Sequence, residues 1–208
     1  MVSGYYTAHY LHISFGTGFI KNCTLVNFLH KKIEHISLLS LFHKEVIMIT
    51  LATTRFNSQT WQERQQWLAL HKWDGCILGT PIRVKDDIST TMIVLEMHND
   101  ENKVKAISVV KNEAYFDKTY RIYKDRNYNR YIYKSHYRLE LDKIKETMTS
   151  FDEKIIAIFN QLLFKGPCHF KRAQGITAVP NWIMQNKQID FIKHFKALLM
   201  KHYPRLDL

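Results

Sequence analysis

The sequence predicts an α+β fold, a small curved antiparallel or barrel-like sheet flanked by helices. Three observations carry that expectation. A capped helical stretch opens near residue 57. Between residues 76 and 138 the apolar residues fall in short extended runs separated by turn signals. Beyond residue 140 the period is helical again. Extended runs followed by helical ones, without regular βα alternation, point to α+β rather than to a parallel α/β sheet. At 46% hydrophobic and 13% aromatic residues the chain is far from the composition of a disordered one, so a packed core is expected.

Residues 1–47 differ from the rest. No acidic residue precedes Glu34, and five of the eleven histidines fall here. Met48 then opens an ordinary-looking stretch, so residues 1–47 read as an N-terminal extension upstream of a natural start. A genuine N-terminal subdomain with a helix over 25–42 is the alternative. Residues 33–52 are the most apolar, yet Glu34, His35, His43, Lys44 and Glu45 interrupt them, which excludes a membrane-spanning helix there. No signal peptide is recognisable, so the protein is expected to be intracellular and non-secreted.

Residues 48–208 are expected to form one domain, with a helix over 58–73, strands within 76–138 and helices over 140–203. Asn57 or Ser58 caps the first helix, and Gly75 ends it by taking positive φ. Residues 76–84 form a strand that Gly79 and Pro81 interrupt, which suits an edge or a bulge. Residues 92–97 and 104–110 make a hairpin around the turn 98–102. Residues 120–123 and 131–137 supply two shorter strands. Ser150 and Glu153 form a capping box for a helix that stops at Lys165-Gly166-Pro167. A last amphipathic helix covers 186–202. The cysteines Cys23, Cys76 and Cys168 are too far apart for a metal clip and read as reduced thiols.

A net charge of +11 makes polyanions the first partners to consider, and it directs the search for a binding face. Residues 103–138 hold ten lysines and arginines against three acids, together with seven of the eleven tyrosines. Cations neutralise phosphates, and tyrosine rings stack on bases. Lys124, Arg126, Arg130, Lys134 and Arg138 are therefore candidate phosphate contacts, and Tyr128, Tyr131 and Tyr133 candidate stackers. Lys171 and Arg172, in a loop with Gly175, form a second candidate phosphate contact. Tyrosines filling a small β-core and lysines solvating its outside are the plainer account of the same pattern.

Catalytic constellations are weaker. Asp86, Asp87, Glu96 and Asp100 could be Mg²⁺ ligands of a nuclease, but the residues after Glu96 are Met97 and His98, and strand neighbours alternate faces. Cys168 and His169 adjoin in sequence and so do not face each other. The expected role is non-catalytic binding of nucleic acid, RNA or DNA, with neither a cofactor nor a metal and without a membrane. A structural or protein-interaction role is the first alternative, and the Mg²⁺-dependent nuclease the second.

Four stretches, residues 75–84, 94–112, 120–139 and 163–177, resemble uncharacterised proteins of large nucleocytoplasmic DNA viruses. That resemblance covers residues 48–208 and implies a viral protein acting in the host cytoplasm or nucleus, or in the virion. More distantly, the hairpin of residues 94–97 and 104–110 is similar to that of PUA-like domains of the EVE and YTH types, with Ala106 where those have glycine. This second likeness implies a PUA-like barrel and binding of RNA or of a modified base.

Overall fold

A computed structural model describes residues 48–85, 91–185 and 187–208. The expectations for residues 1–47, and those for Asp86 and Asp87, lie outside them. The described chain falls within one compact unit, Ile47–Leu208.

The class is α+β, built on a mixed five-stranded sheet. Strand β1 (Ile49–Phe56) leads into helix α1 (Ser58–Leu70). Next come β2 (Cys76–Thr80), β3 (Thr91–His98) and β4 (Lys103–Lys111), then β5 (Tyr131–Ser135) and β6 (Arg138–Glu140). Short helix α2 (Leu141–Ile144), long α3 (Ser150–Phe164), β7 (Thr177–Ala178), α4 (Asn181–Met184) and α5 (Phe191–His202) complete it. The large sheet has the order β6-β4-β3-β1-β7, and β2 pairs with β5 in a separate two-stranded sheet. β1 runs parallel to β3 over its whole length, and every other pairing is antiparallel.

The period-two alternation of the central strands sends side chains to both faces, and both are covered. Leu51, Ile93, Leu95 and Ile107 share one core cluster with Ile155 and Phe159 of α3 and Phe195 and Leu199 of α5. Ala52, Phe56, Met92 and Val94 join the other, with Trp67 and Leu68 of α1 and the strands β2 and β5. The sheet is thus the middle of three layers.

Several expectations are corrected. The sheet is open, with β6 and β7 at its edges, so no barrel closes. The hairpin behind the PUA-like resemblance is the β3–β4 hairpin of that open sheet. β1, which is not among the expected strands, lies inside the sheet between β3 and β7. Residues 120–123 are irregular rather than a strand, because Asn129 Oδ1 accepts from the backbone amides of Ile122 and Tyr123 and so replaces a ladder partner. Helix α1 ends at Leu70, and it is Lys72 that takes positive φ (49°). Gly75 is needed for closeness instead: a Cβ there would lie 2.2 Å from the Ser135 carbonyl oxygen. The box capping α3 is Thr149 with Asp152, one residue earlier than expected. The last helix starts at Phe191, capped by Asp190.

Candidate nucleic-acid interface

The ten candidate residues separate into four groups. Tyr133 and Arg138 are buried. The Tyr133 hydroxyl accepts from the Val84 amide at 2.9 Å, and its ring is core. Arg138, its side chain 6% exposed, reaches from β6 across β4 to Glu96 on β3. It passes Ala106 and Ser108, which are small enough to let it through. Neither residue faces a ligand at the surface.

Arg138 belongs to a buried ion cluster. Glu96 takes 2.7 Å from Arg64 Nη1 and 3.1 Å from Arg138 Nε, and the Ser108 hydroxyl also donates to it. Burial alone would raise the Glu96 carboxyl, but the Arg138 and Arg64 charges and the Ser108 hydroxyl outweigh it and bring it down to about 2. Arg64 Nε and Nη2 lack hydrogen-bond acceptors among the described residues. The guanidinium instead stacks 4.1 Å from the Phe56 ring centroid and 4.2 Å from that of Trp61, whose π faces compensate its charge. Glu96 is committed to these partners, while Asp100 bonds the Ser58 amide and hydroxyl at the surface. The two carboxylates do not converge, and among the described residues no cluster suits a metal ion.

A second group, Arg130, Tyr131 and Lys134, surrounds β5 and is joined there by two residues the sequence reading did not single out. The Tyr115 amide donates to the Ile132 carbonyl at 2.7 Å, an isolated bridge that holds residues 115 and 116 along β5. Phe116 is 71% exposed and Tyr115 40%. The Phe116 and Tyr131 rings meet edge to face at 6.3 Å, and Arg130 lies 5.8 Å from the Tyr131 centroid. Lys134 Nζ sits 4.4 Å from the Tyr115 centroid, 2.7 Å from the Tyr120 hydroxyl and 3.6 Å from Asp117. Burial works against its charge, but Tyr120 and Asp117 prevail and hold its pKa above the ordinary lysine value. Asp117 is in turn lowered, chiefly by the Tyr120 hydroxyl donating to it. For Tyr115 and Phe116 themselves the sequence signal is their adjacency as an aromatic pair in a stretch with no period to bury it.

Tyr128 and Lys171, distant in sequence, form a third group. They line one cleft of about 350 Å³ with Arg55, Asn57, Thr60, Asn99 and Asp100. It lies where the parallel strands β1 and β3 end side by side, Phe56 opposite His98. Tyr128 is in the 3-10 turn Arg126–Asn129, which Gly79 of β2 lets approach; a Cβ at Gly79 would lie 2.3 Å from the Tyr128 carbonyl oxygen. Arg55 Nη1 and Asn99 Nδ2 each donate to the Lys171 carbonyl at 2.9 Å, tying the distant loop to the strand ends. The fourth group, Lys124, Arg126 and Arg172, is exposed, with no ion pair to a carboxylate among the described residues.

Compared with protein-family models, curated proteins and solved structures, the chain matches none of them. Among the described residues no helix is long and apolar enough to cross a membrane.

Proposed function

We propose that this protein binds single-stranded nucleic acid without catalysis, through the aromatic platform beside β5 and the cations around it. The observation that supports this reading most is the edge-to-face pair of Phe116 and Tyr131, largely exposed at Phe116, with Arg130 against Tyr131. An aromatic side chain this exposed adds nothing to the core, and its π face is free to stack on a base. Arg130, together with exposed Lys118 next to Tyr120, supplies charge for the phosphates between successive bases. Lys134 has a structural part as well, since Asp117 and Tyr120 already share its charge.

The test is fluorescence-anisotropy binding of single-stranded RNA, single-stranded DNA and duplex DNA across a salt series. Affinity is expected to fall log-linearly with salt, and single strands to bind more tightly than duplex. Each of Phe116→Ala and Tyr131→Ala is expected to cost about 1–3 kcal/mol, the scale of one base–aromatic stack. Binding that ignores both salt and these substitutions would leave the platform as an anchor for a protein partner instead.

A further inference from the structure

We infer that the cleft at the carboxyl ends of β1 and β3 receives one nucleoside monophosphate unit, its phosphate on Arg55 and Lys171 and its base against Tyr128. This inference rests on the nucleic-acid reading and names the part of a strand that enters the cleft, a phosphate-bearing terminal nucleotide; a free nucleotide presents the same chemistry.

Four observations converge. The first is place, since the cleft opens at the carboxyl ends of the parallel pair β1 and β3, the position at which open α/β sheets bind ligands. The second is an excess of positive charge. Among the described residues neither Arg55 nor Lys171 has a carboxylate within ion-pair distance. Among the described residues Lys171 Nζ bonds the neutral Asn102 Oδ1, at 2.8 Å, and Arg55 Nη1 a carbonyl. A guanidinium and an ammonium lining one cleft, neither in an ion pair and with Asp100 the single carboxylate among the lining residues, favour a phosphate, which accepts from each.

The third observation is a fixed ring. Tyr128 is half-buried and meets Tyr123 edge to face at 6.0 Å, so its orientation is set before a ligand arrives. The fourth is an unmet acceptor. Asn99 Oδ1 is buried with no donor among the described residues, and a sugar hydroxyl or base amino group would supply one. The N-terminus of α1 is not the attraction, because Asn57 and Asp100 already satisfy it. Hydrogen bonds from Ser58, with a smaller part from the Lys171 charge, hold the Asp100 carboxyl below its ordinary range. The volume, about 350 Å³, lies at the small end of ligand sites and suits one nucleotide rather than two.

The cleft and the platform are close along the chain. Tyr128 and Tyr131 are three residues apart, so their Cα atoms are separated by at most about 11 Å. A strand whose last nucleotide fills the cleft therefore has its next bases within reach of the platform.

The test uses the full chain and calorimetry with AMP, then with one oligonucleotide carrying either a terminal phosphate or a terminal hydroxyl. AMP is expected to bind, and Lys171→Gln and Tyr128→Leu each to weaken it about tenfold or more, with thermal unfolding confirming that both variants fold. Phe116→Ala should leave AMP binding unchanged while weakening the oligonucleotide. If the phosphorylated end binds more tightly and AMP competes with it, the source is a strand terminus. If AMP binds through these residues but no oligonucleotide does, the cleft stands with a free nucleotide as its ligand and the strand-binding reading falls. AMP that does not bind, or that binds indifferently to Lys171→Gln and Tyr128→Leu, overturns the inference whatever the platform variants do.

Discussion

Removing the charge of Glu96 would leave Arg64 with no carboxylate and Arg138 with Glu140 alone, both guanidiniums still out of water. Breaking a buried pair from one side costs about 3–5 kcal/mol. Glu96→Gln is therefore expected to lower unfolding free energy by about that amount in urea, and a loss under 1 kcal/mol, roughly a surface value, would contradict the account. The same carboxyl makes stability depend on pH. Its folded pKa of about 2 lies below its ordinary 4.5, so its contribution is complete above 4.5 and is lost as pH falls toward 2. A wild-type acid titration should show that loss, and Glu96→Gln should flatten it. A sequence shows Glu96 only as an acid on a strand near other acids, which is equally the look of a metal ligand. What separates the two is Arg138 arriving from β6, and that contact depends on a register no local pattern records.

At the scale of elements, the irregular segment before β5 is held by one side chain. Asn129 accepts from two backbone amides and donates to the Tyr123 carbonyl at 2.7 Å. Asn129→Ala should leave those amides without an acceptor and speed hydrogen exchange at Ile122 and Tyr123 while the β3–β4 hairpin keeps its protection. Uniform exchange across both would place the order of this segment elsewhere. The Asn is plain in the sequence, but Tyr-Arg-Ile-Tyr reads as a strand because its alternation is right; only the missing ladder partner shows otherwise. β1 failed in the opposite way. Its threonines and its nearness to the helix cap hid a strand whose parallel partner lies beyond α1 and β2. Hairpin β3–β4 was legible because its turn and both its strands are contiguous.

The whole described unit depends on one sheet, since both core clusters take alternate residues of the same strands. Neither face can be uncovered without exposing the other strand residues to a half-formed layer. Residues 48–208 are accordingly expected to unfold in one transition, with tryptophan fluorescence, from Trp61 and Trp67 of α1, Trp73 beyond it and Trp182 of α4, and far-ultraviolet dichroism superimposing in urea. Separate transitions would show that the faces are independent. The α+β class was legible from the order of periods, whereas closure into a barrel was not, because edge pairing is set by long-range register. Of the site, the basic and aromatic composition was visible. Burial then removed Tyr133 and Arg138 from it and added Arg55 and Phe116, which no charge count or spacing singles out.

The open sheet ends in β6, three residues long, and β7, only two. An unpaired strand invites another chain to add to it, and the invitation grows with the number of free amides and carbonyls in a row. β6 and β7 themselves present almost no template, but they cover only Ala106–Ser108 of β4 and Ala52–Thr53 of β1, and β2 pairs with β5 alone. Growth by strand addition at the two ends of the large sheet is thus poorly served, and a copy of this protein seeking a backbone template would find a longer one along β2.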